Sequence, residues 1–167
     1  MMKKILFFVS IFTLTSFANA VYIGGSLGYL TDSDAAYETG RIGHTFIQQG
    51  NTSHSLEVEV GHSYKEQGWF DVRVVPIALN YRGETSINEN AFIYYGAGIG
   101  SAYVKVEASG YSASDSSMVL QAFGGAGYRV SETVSILGGV RYLRVSDFDV
   151  VGSENDFGVN IGIQIAL

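Results

Sequence analysis

Few side chains in this sequence are of a type and spacing that could do chemistry. His44, His54 and His62 are the only histidines, and a metal centre would need three or four such groups converging on one point. Their spacing is irregular and they fall on different segments and turns, so they read as interfacial or turn histidines, and no metal is expected. A Ser–His–acid site needs nucleophile and base on one face. On an extended strand that means a spacing of two, His-x-Ser. Here the pairs are His44-x-Phe46, His54-x-Leu56 and His62-x-Tyr64, and Ser63 follows His62 directly, so it points the other way. Gly96-x-Gly98-x-Gly100 superficially matches a nucleotide loop, but it lies in an alternating segment with no helix after it. Asn51-Thr52-Ser53 matches a glycosylation sequon by chance, on a predicted turn. There is no cysteine, hence no thiolate chemistry and no disulfide. No catalytic residue and no cofactor is expected. What remains is a group of carboxylates, arginines and amides: Glu57, Glu59, Gln121, Arg141 and Gln164, with Arg41 and Arg73.

Those groups need elements to position them. The closing stretch, Asn155–Leu167, reads NDFGVNIGIQIAL. Phe157, Val159, Ile161, Ile163, Ile165 and Leu167 share one parity; Gly158, Asn160, Gly162, Gln164 and Ala166 share the other. On a strand these parities are opposite faces. A soluble sandwich would turn the apolar face inward. A membrane barrel would turn it to lipid, with the small and polar face lining the lumen.

Met1–Ala20 has Lys3 and Lys4, an apolar run from Ile5 to Leu14, and Ala18-Asn19-Ala20 as a small-residue cleavage site. This is the pattern of a cleavable signal peptide. Its apolar run is shorter than the ~18–20 residues of a spanning helix. The mature chain is then residues 21–167, one domain. Ten basic residues less the two signal lysines leave eight against sixteen acidic ones, which argues against nucleic acid as a partner. No other apolar run is long enough for a membrane helix, so a membrane form must be a closed barrel.

Eight alternating segments follow: 21–30, 37–47, 55–64, 69–82, 91–106, 117–129, 134–145 and 155–167. Turns or loops are expected at 31–36, 48–54, 65–68, 83–90, 107–116, 131–133 and 147–154. Each segment with its connection takes about 18 residues, enough for a tilted spanning strand and a turn. Strict alternation puts Arg73 on the apolar parity, which predicts a bulge or an end of register near Val74–Pro76, since Pro cannot donate to a ladder. With the segments alternating up and down, Tyr29, Tyr64, Tyr103, Tyr142 and Phe157 gather at one level, with Trp69 or Phe70. Tyr81, Tyr95 and Tyr128 gather at the other. Two aromatic bands with aliphatic residues between them are how membrane barrels anchor at both interfaces. The fold class is therefore all-β: an eight-stranded antiparallel up-and-down transmembrane β-barrel, preceded by a signal peptide. Its lumen is just wide enough for side chains to fill. Gly96, Gly98, Gly100, Gly125, Gly127, Gly139, Gly158 and Gly162 make room, and Glu57 and Glu59 are expected to pair with Arg141 and with Arg41 or Arg73.

The runs Tyr94-Tyr95-Gly96-Ala97-Gly98-Ile99-Gly100, Ala126-Gly127-Tyr128-Arg129-Val130-Ser131-Glu132, Gly139-Val140-Arg141-Tyr142-Leu143 and Val75-Pro76-Ile77-Ala78-Leu79-Asn80-Tyr81 resemble the small outer-membrane β-barrel family, related to OmpA transmembrane domains and OmpX. The resemblance covers the mature chain and carries no catalytic signature. It implies a Gram-negative outer-membrane location among lipid and lipopolysaccharide, and insertion by the barrel-assembly machinery. Leu167 departs from the aromatic last residue usual in the family, and no peptidoglycan-binding domain of the OmpA kind follows the barrel.

The expected function is a non-enzymatic, porin-like family barrel with a structural or surface-interaction role and no large pore. Loops 31–36, 108–116 and 147–154 are the candidates for a host or envelope ligand. The alternatives are a narrow channel for small solutes and a lipid A-modifying hydrolase. The barrel-type lipid A deacylases have the His-x-Ser pattern that this sequence lacks.

Overall fold

The computed structural model describes residues 21–67, 70–108, 111–146 and 154–167. The signal segment Met1–Ala20, Trp69, and the predicted loop over 147–153 lie outside them, as do 68 and 109–110. Eight strands follow one another in chain order: β1 (Val21–Leu30), β2 (Ala35–Gln49), β3 (Thr52–Gln67), β4 (Phe70–Ser86), β5 (Ala91–Ala108), β6 (Tyr111–Arg129), β7 (Val134–Val145) and β8 (Glu154–Ala166). Each pairs antiparallel with the next, and β8 pairs with β1 from Tyr22↔Ala166 to Leu30↔Gly158, closing the barrel. Closure leaves no sheet edge around the spanning part, the condition for a β-structure in hydrocarbon.

The register sets the shape. From Tyr22, the chain of direct partners runs through Gly43, Glu57, Asn80, Gly98, Gln121, Leu143 and Asp156. It arrives beside Asp32, whose N–H donates to Asp156 Oδ1. That is position 32 against a start at 22, ten residues further along the chain. A stagger of this kind tilts strands by roughly 35–45° in a closed barrel. It also winds the inward residues into a rising spiral, so groups far apart in sequence meet across the lumen.

Alternation decides what faces where. Ile161 is 64% exposed and Phe157 59%, while Glu57 is 1% exposed and Asn80 fully buried. The aliphatic parity thus faces out and the polar parity in. Tyr29, Tyr64, Tyr81, Tyr95, Tyr103 and Tyr128 are all exposed on the outer face, and Tyr142 packs on Phe157 with ring centroids 5.0 Å apart. At the end away from the termini the interior is apolar: Ala102, Val104, Val119, Leu143 and Val145 cluster inside, with Val72, Val74 and Val106 against them. The turns beside the termini are tight. Gly50 holds φ at 60°, where a side chain would be strained. Asn88 Oδ1 accepts from the N–H groups of Asn90 and Ala91.

Three expectations are corrected. No bulge occurs at Val74–Pro76: Val60↔Ile77 and Ser63↔Val74 keep one offset on the β3 side, and the β5 side is unbroken. Proline removes a ladder donor without inserting a residue, so the register does not slip. The bulge lies in β2, between Thr45 and Ile47, where Phe46 is the extra residue. Second, Arg73 is exposed on the outer parity. It sits between Tyr64 and Lys105 in the register. There β4 has run past the aliphatic belt, so a charge needs no lumen to hide in. Third, the predicted loop over 107–116 is mostly strand, because β5 and β6 stay paired out to Ala108↔Tyr111.

Candidate functional site: the barrel lumen

The lumen is occupied by two linked ion-pair groups. In the first, Glu57 on β3 accepts a hydrogen bond of 2.8 Å from Tyr22 Oη on β1. Arg82 Nη1 on β4 lies 3.5 Å from the same carboxylate oxygen and Arg41 Nε on β2 lies 3.7 Å from it. Arg82 stacks over the Tyr94 ring at 4.4 Å and also reaches Glu84 at 3.3 Å. Glu84 in turn holds Arg129 at 2.8 Å, and Arg129 lies over the Phe92 ring at 4.7 Å. In the second group Arg141 on β7 grips Glu59 with both terminal nitrogens, at 2.5 and 2.9 Å. Gln121 on β6 accepts from Arg141 and donates to Glu59 and to Asn80. The Arg141 guanidinium lies 5.3 Å from the Tyr37 ring centroid and 5.6 Å from that of Phe123. Forked arginine–carboxylate contacts are the strong form of this interaction, and the surrounding rings exclude water from it.

The local sequence explains the fit. Several bulky inward residues lie over a neighbouring glycine. Tyr22 faces Gly43, Asn80 faces Gly98, Phe123 faces Gly96 and Phe92 faces Gly127. A Cβ on Gly98 would sit 1.8 Å from Asn80 Oδ1, and one on Gly127 would sit 2.2 Å from the Phe92 ring. The glycines are spaces already filled by the residue opposite.

Of the residues singled out in sequence, Glu57, Glu59, Arg41, Gln121 and Arg141 all lie in this network, and Arg73 does not. Gln164 is half-buried near the terminal end, its Oε1 without a hydrogen-bond partner among the described residues. It lines a polar vestibule of about 220 Å³ together with Tyr22, Ser55, Glu84 and Arg129. Arg82 and Asn80 were missed, although both lie on the inward parity of β4. The inward aromatics Tyr22, Tyr37, Phe92, Tyr94 and Phe123 were missed as well, although each lies on the inward parity of its strand, the signal that could have found them. Arg41 is close-packed on Gly24 and buried, and its Nε and Nη2 have no hydrogen-bond partner among the described residues. With Arg41, Arg82 and Arg141 against Glu57 and Glu59, cations exceed carboxylates in the innermost layer.

The histidines do not converge. His44 and His62 face outward. His54 Nδ1 lies 2.6 Å from Tyr81 Oη, with the rings stacked. Among the described residues no group of three or more acidic, histidine or cysteine side chains is placed to hold a metal ion. The turn at 31–34 is pinned. Buried Asp156 accepts from the N–H groups of Asp32 and Ser33 and from the Ser33 hydroxyl, and Tyr29 Oη donates to Asp34.

No protein-family model and no curated protein matches the chain in sequence. Solved structures do match it in shape. Neisserial surface protein A (NspA) superposes with a TM-score of 0.65 at 16% identity, over 87% of this chain and 95% of that one. Ail, the attachment invasion locus protein of Yersinia pestis, gives 0.59 at 15%, over 89% and 97%. The outer membrane enzyme PagL gives 0.52 at 16%, over 87% and 99%. The closed eight-strand order, the outward aliphatic face and the near-complete overlap with these barrels give this chain the fold of the small outer-membrane β-barrels.

Proposed function

We propose that this chain is an outer-membrane barrel with a structural or surface-interaction role, and that it is neither an enzyme nor a large pore. The observation that carries this reading is the Arg141–Glu59–Gln121–Asn80 network, which crosses the lumen between β3, β4, β6 and β7. An open pore needs that space for water. Here it holds paired charges and the rings of Tyr37 and Phe123, with the apolar cluster around Val119 and Leu143 beyond them. The outward face needs hydrocarbon around it, and lipid with lipopolysaccharide meets that need. Insertion then falls to the barrel-assembly machinery.

Host or envelope ligands are assigned to residues 31–36, 108–116 and 147–154, of which the turn at 31–34 is tied to Asp156 and 111–116 belong to β6. The test of the lumen is conductance of the purified protein in planar bilayers. Rare, small openings are expected; steady porin-sized steps would refute the reading.

PagL shows that this fold also carries an enzyme, so fold does not decide the matter. The separate test is a lipid A deacylase assay on purified protein, with no turnover expected. The polar vestibule at the terminal end favours, as a second reading, slow passage of small solutes, which the same bilayer recordings would register.

A further inference from the structure

We propose that the lumen holds a binding site for one small monovalent anion, of the chloride class, at the Arg41 guanidinium. Arg41 reaches from β2 across the inward face of Gly24 on β1: a Cβ on that glycine would lie 2.9 Å from Arg41 Nε and 3.1 Å from its Cζ. The side chain is 5% exposed, yet Nε and Nη2 have no hydrogen-bond partner among the described residues. Glu57 Oε1, at 3.7 Å from Nε, lies beyond hydrogen-bond reach and already receives the Tyr22 hydroxyl and Arg82. A guanidinium carries several donors and does not shed its proton, so burial leaves it in need of acceptors and of a counter-charge.

The lumen charges point the same way. Arg141 is matched by Glu59, Arg129 by Glu84 and Arg82 by Glu57. Arg41 is the lumen cation left over among the described residues. One negative charge closes the balance, and a divalent anion would leave a buried excess of its own. Water would accept from the donors but leave the charge unmatched. Neutral donors adjoin Arg41 in the register. Gln164 on β8 is the direct partner of Gly24, in one row with Arg41, and its Oε1 has no hydrogen-bond partner among the described residues. A half-turn of that amide presents its Nε2 hydrogens instead. In the next inward row Ser26 and Thr39 share one hydrogen bond of 2.6 Å, which uses one hydroxyl hydrogen and leaves the other to donate. The way in is the polar vestibule at the terminal end, which Gln164 and Tyr22 line.

The probe is bromide, which stands in for chloride and scatters anomalously. Crystals of the wild-type barrel grown in sodium bromide are expected to show an anomalous peak within hydrogen-bond distance of the Arg41 nitrogens. Urea-dependent folding into lipid vesicles then compares bromide with the bulky anion gluconate at equal ionic strength. At about 0.3 M bromide the wild type's folding constant should rise roughly fourfold over its value in gluconate, as a dissociation constant of about 0.1 M gives. Arg41→Met carries the general salt effect alone and should show no such rise; Arg41→Gln serves in its place where the methionine variant does not fold. A peak in the crystals without the folding response would mark an adventitious ion only and overturn the proposal. So would the lack of a peak at Arg41, or the same salt response in wild type and variant, either of which leaves water on the guanidinium. The bilayer recordings described above decide between pore and plug and do not bear on this outcome.

Discussion

Replacing Arg141 with methionine removes the cation while keeping a long side chain. The structure shows what is left behind. Glu59, 3% exposed, loses both of its short contacts to the guanidinium and keeps only the Gln121 amide, at 3.1 Å. Gln121 Oε1 loses its donor, and Tyr37 and Phe123 lose the cation between them. Stranding one member of a buried pair costs about 3–5 kcal/mol, roughly a hundred- to a few-thousand-fold in the folding constant. The assay is urea-dependent folding into lipid vesicles, read by heat-modifiable gel mobility and tryptophan fluorescence. The double variant Arg141→Met with Glu59→Leu removes the stranded charge and should recover most of the loss, since apolar replacements of whole buried pairs are often neutral. The pairing argument fails if Arg141→Met folds within about 1 kcal/mol of wild type, or if the double variant is no better than the single.

The exterior makes its own prediction. Ile161→Arg places a charge on the outward belt and should cost about 2–4 kcal/mol in vesicle folding, the scale for arginine near the bilayer midplane. Arg73→Leu, beyond the belt, should leave stability within about 0.5 kcal/mol. Gly100→Val should fail to fold, because its Cβ alone would sit 1.9 Å from the Ile77 carbonyl, and backbone cannot swing aside; a normal heat-modifiable band would refute this. Asp156→Ala should cost about 1–3 kcal/mol as the amides of Asp32 and Ser33 lose a buried charged acceptor. It should also speed hydrogen exchange at those two amides, and unchanged exchange would show that the turn holds itself.

Several features were readable because they depend only on period two. The parity of Ile161, Ile163 and Ile165 against Gly162 and Gln164 follows from the strand itself, and so do the inward placement of Glu57 and Glu59 and the outward placement of Tyr29 and Tyr128. The number of strands and their order followed from eight such segments joined by short turns.

Other features were decided only by closure. The stagger of ten residues puts Glu59 of β3 beside Arg141 of β7 and Gln121 of β6. Nothing local in the chain encodes which carboxylate meets which arginine, because the spiral of the register fixes those heights. Pro76 shows the same limit, since a missing donor looks like a bulge in sequence but leaves the offset unchanged when both neighbouring strands hold it in place. Sequence alone determined which face of each strand meets hydrocarbon; the tertiary structure decided which inward groups share a height, because that depends on how far the sheet slides before its first and last strands pair.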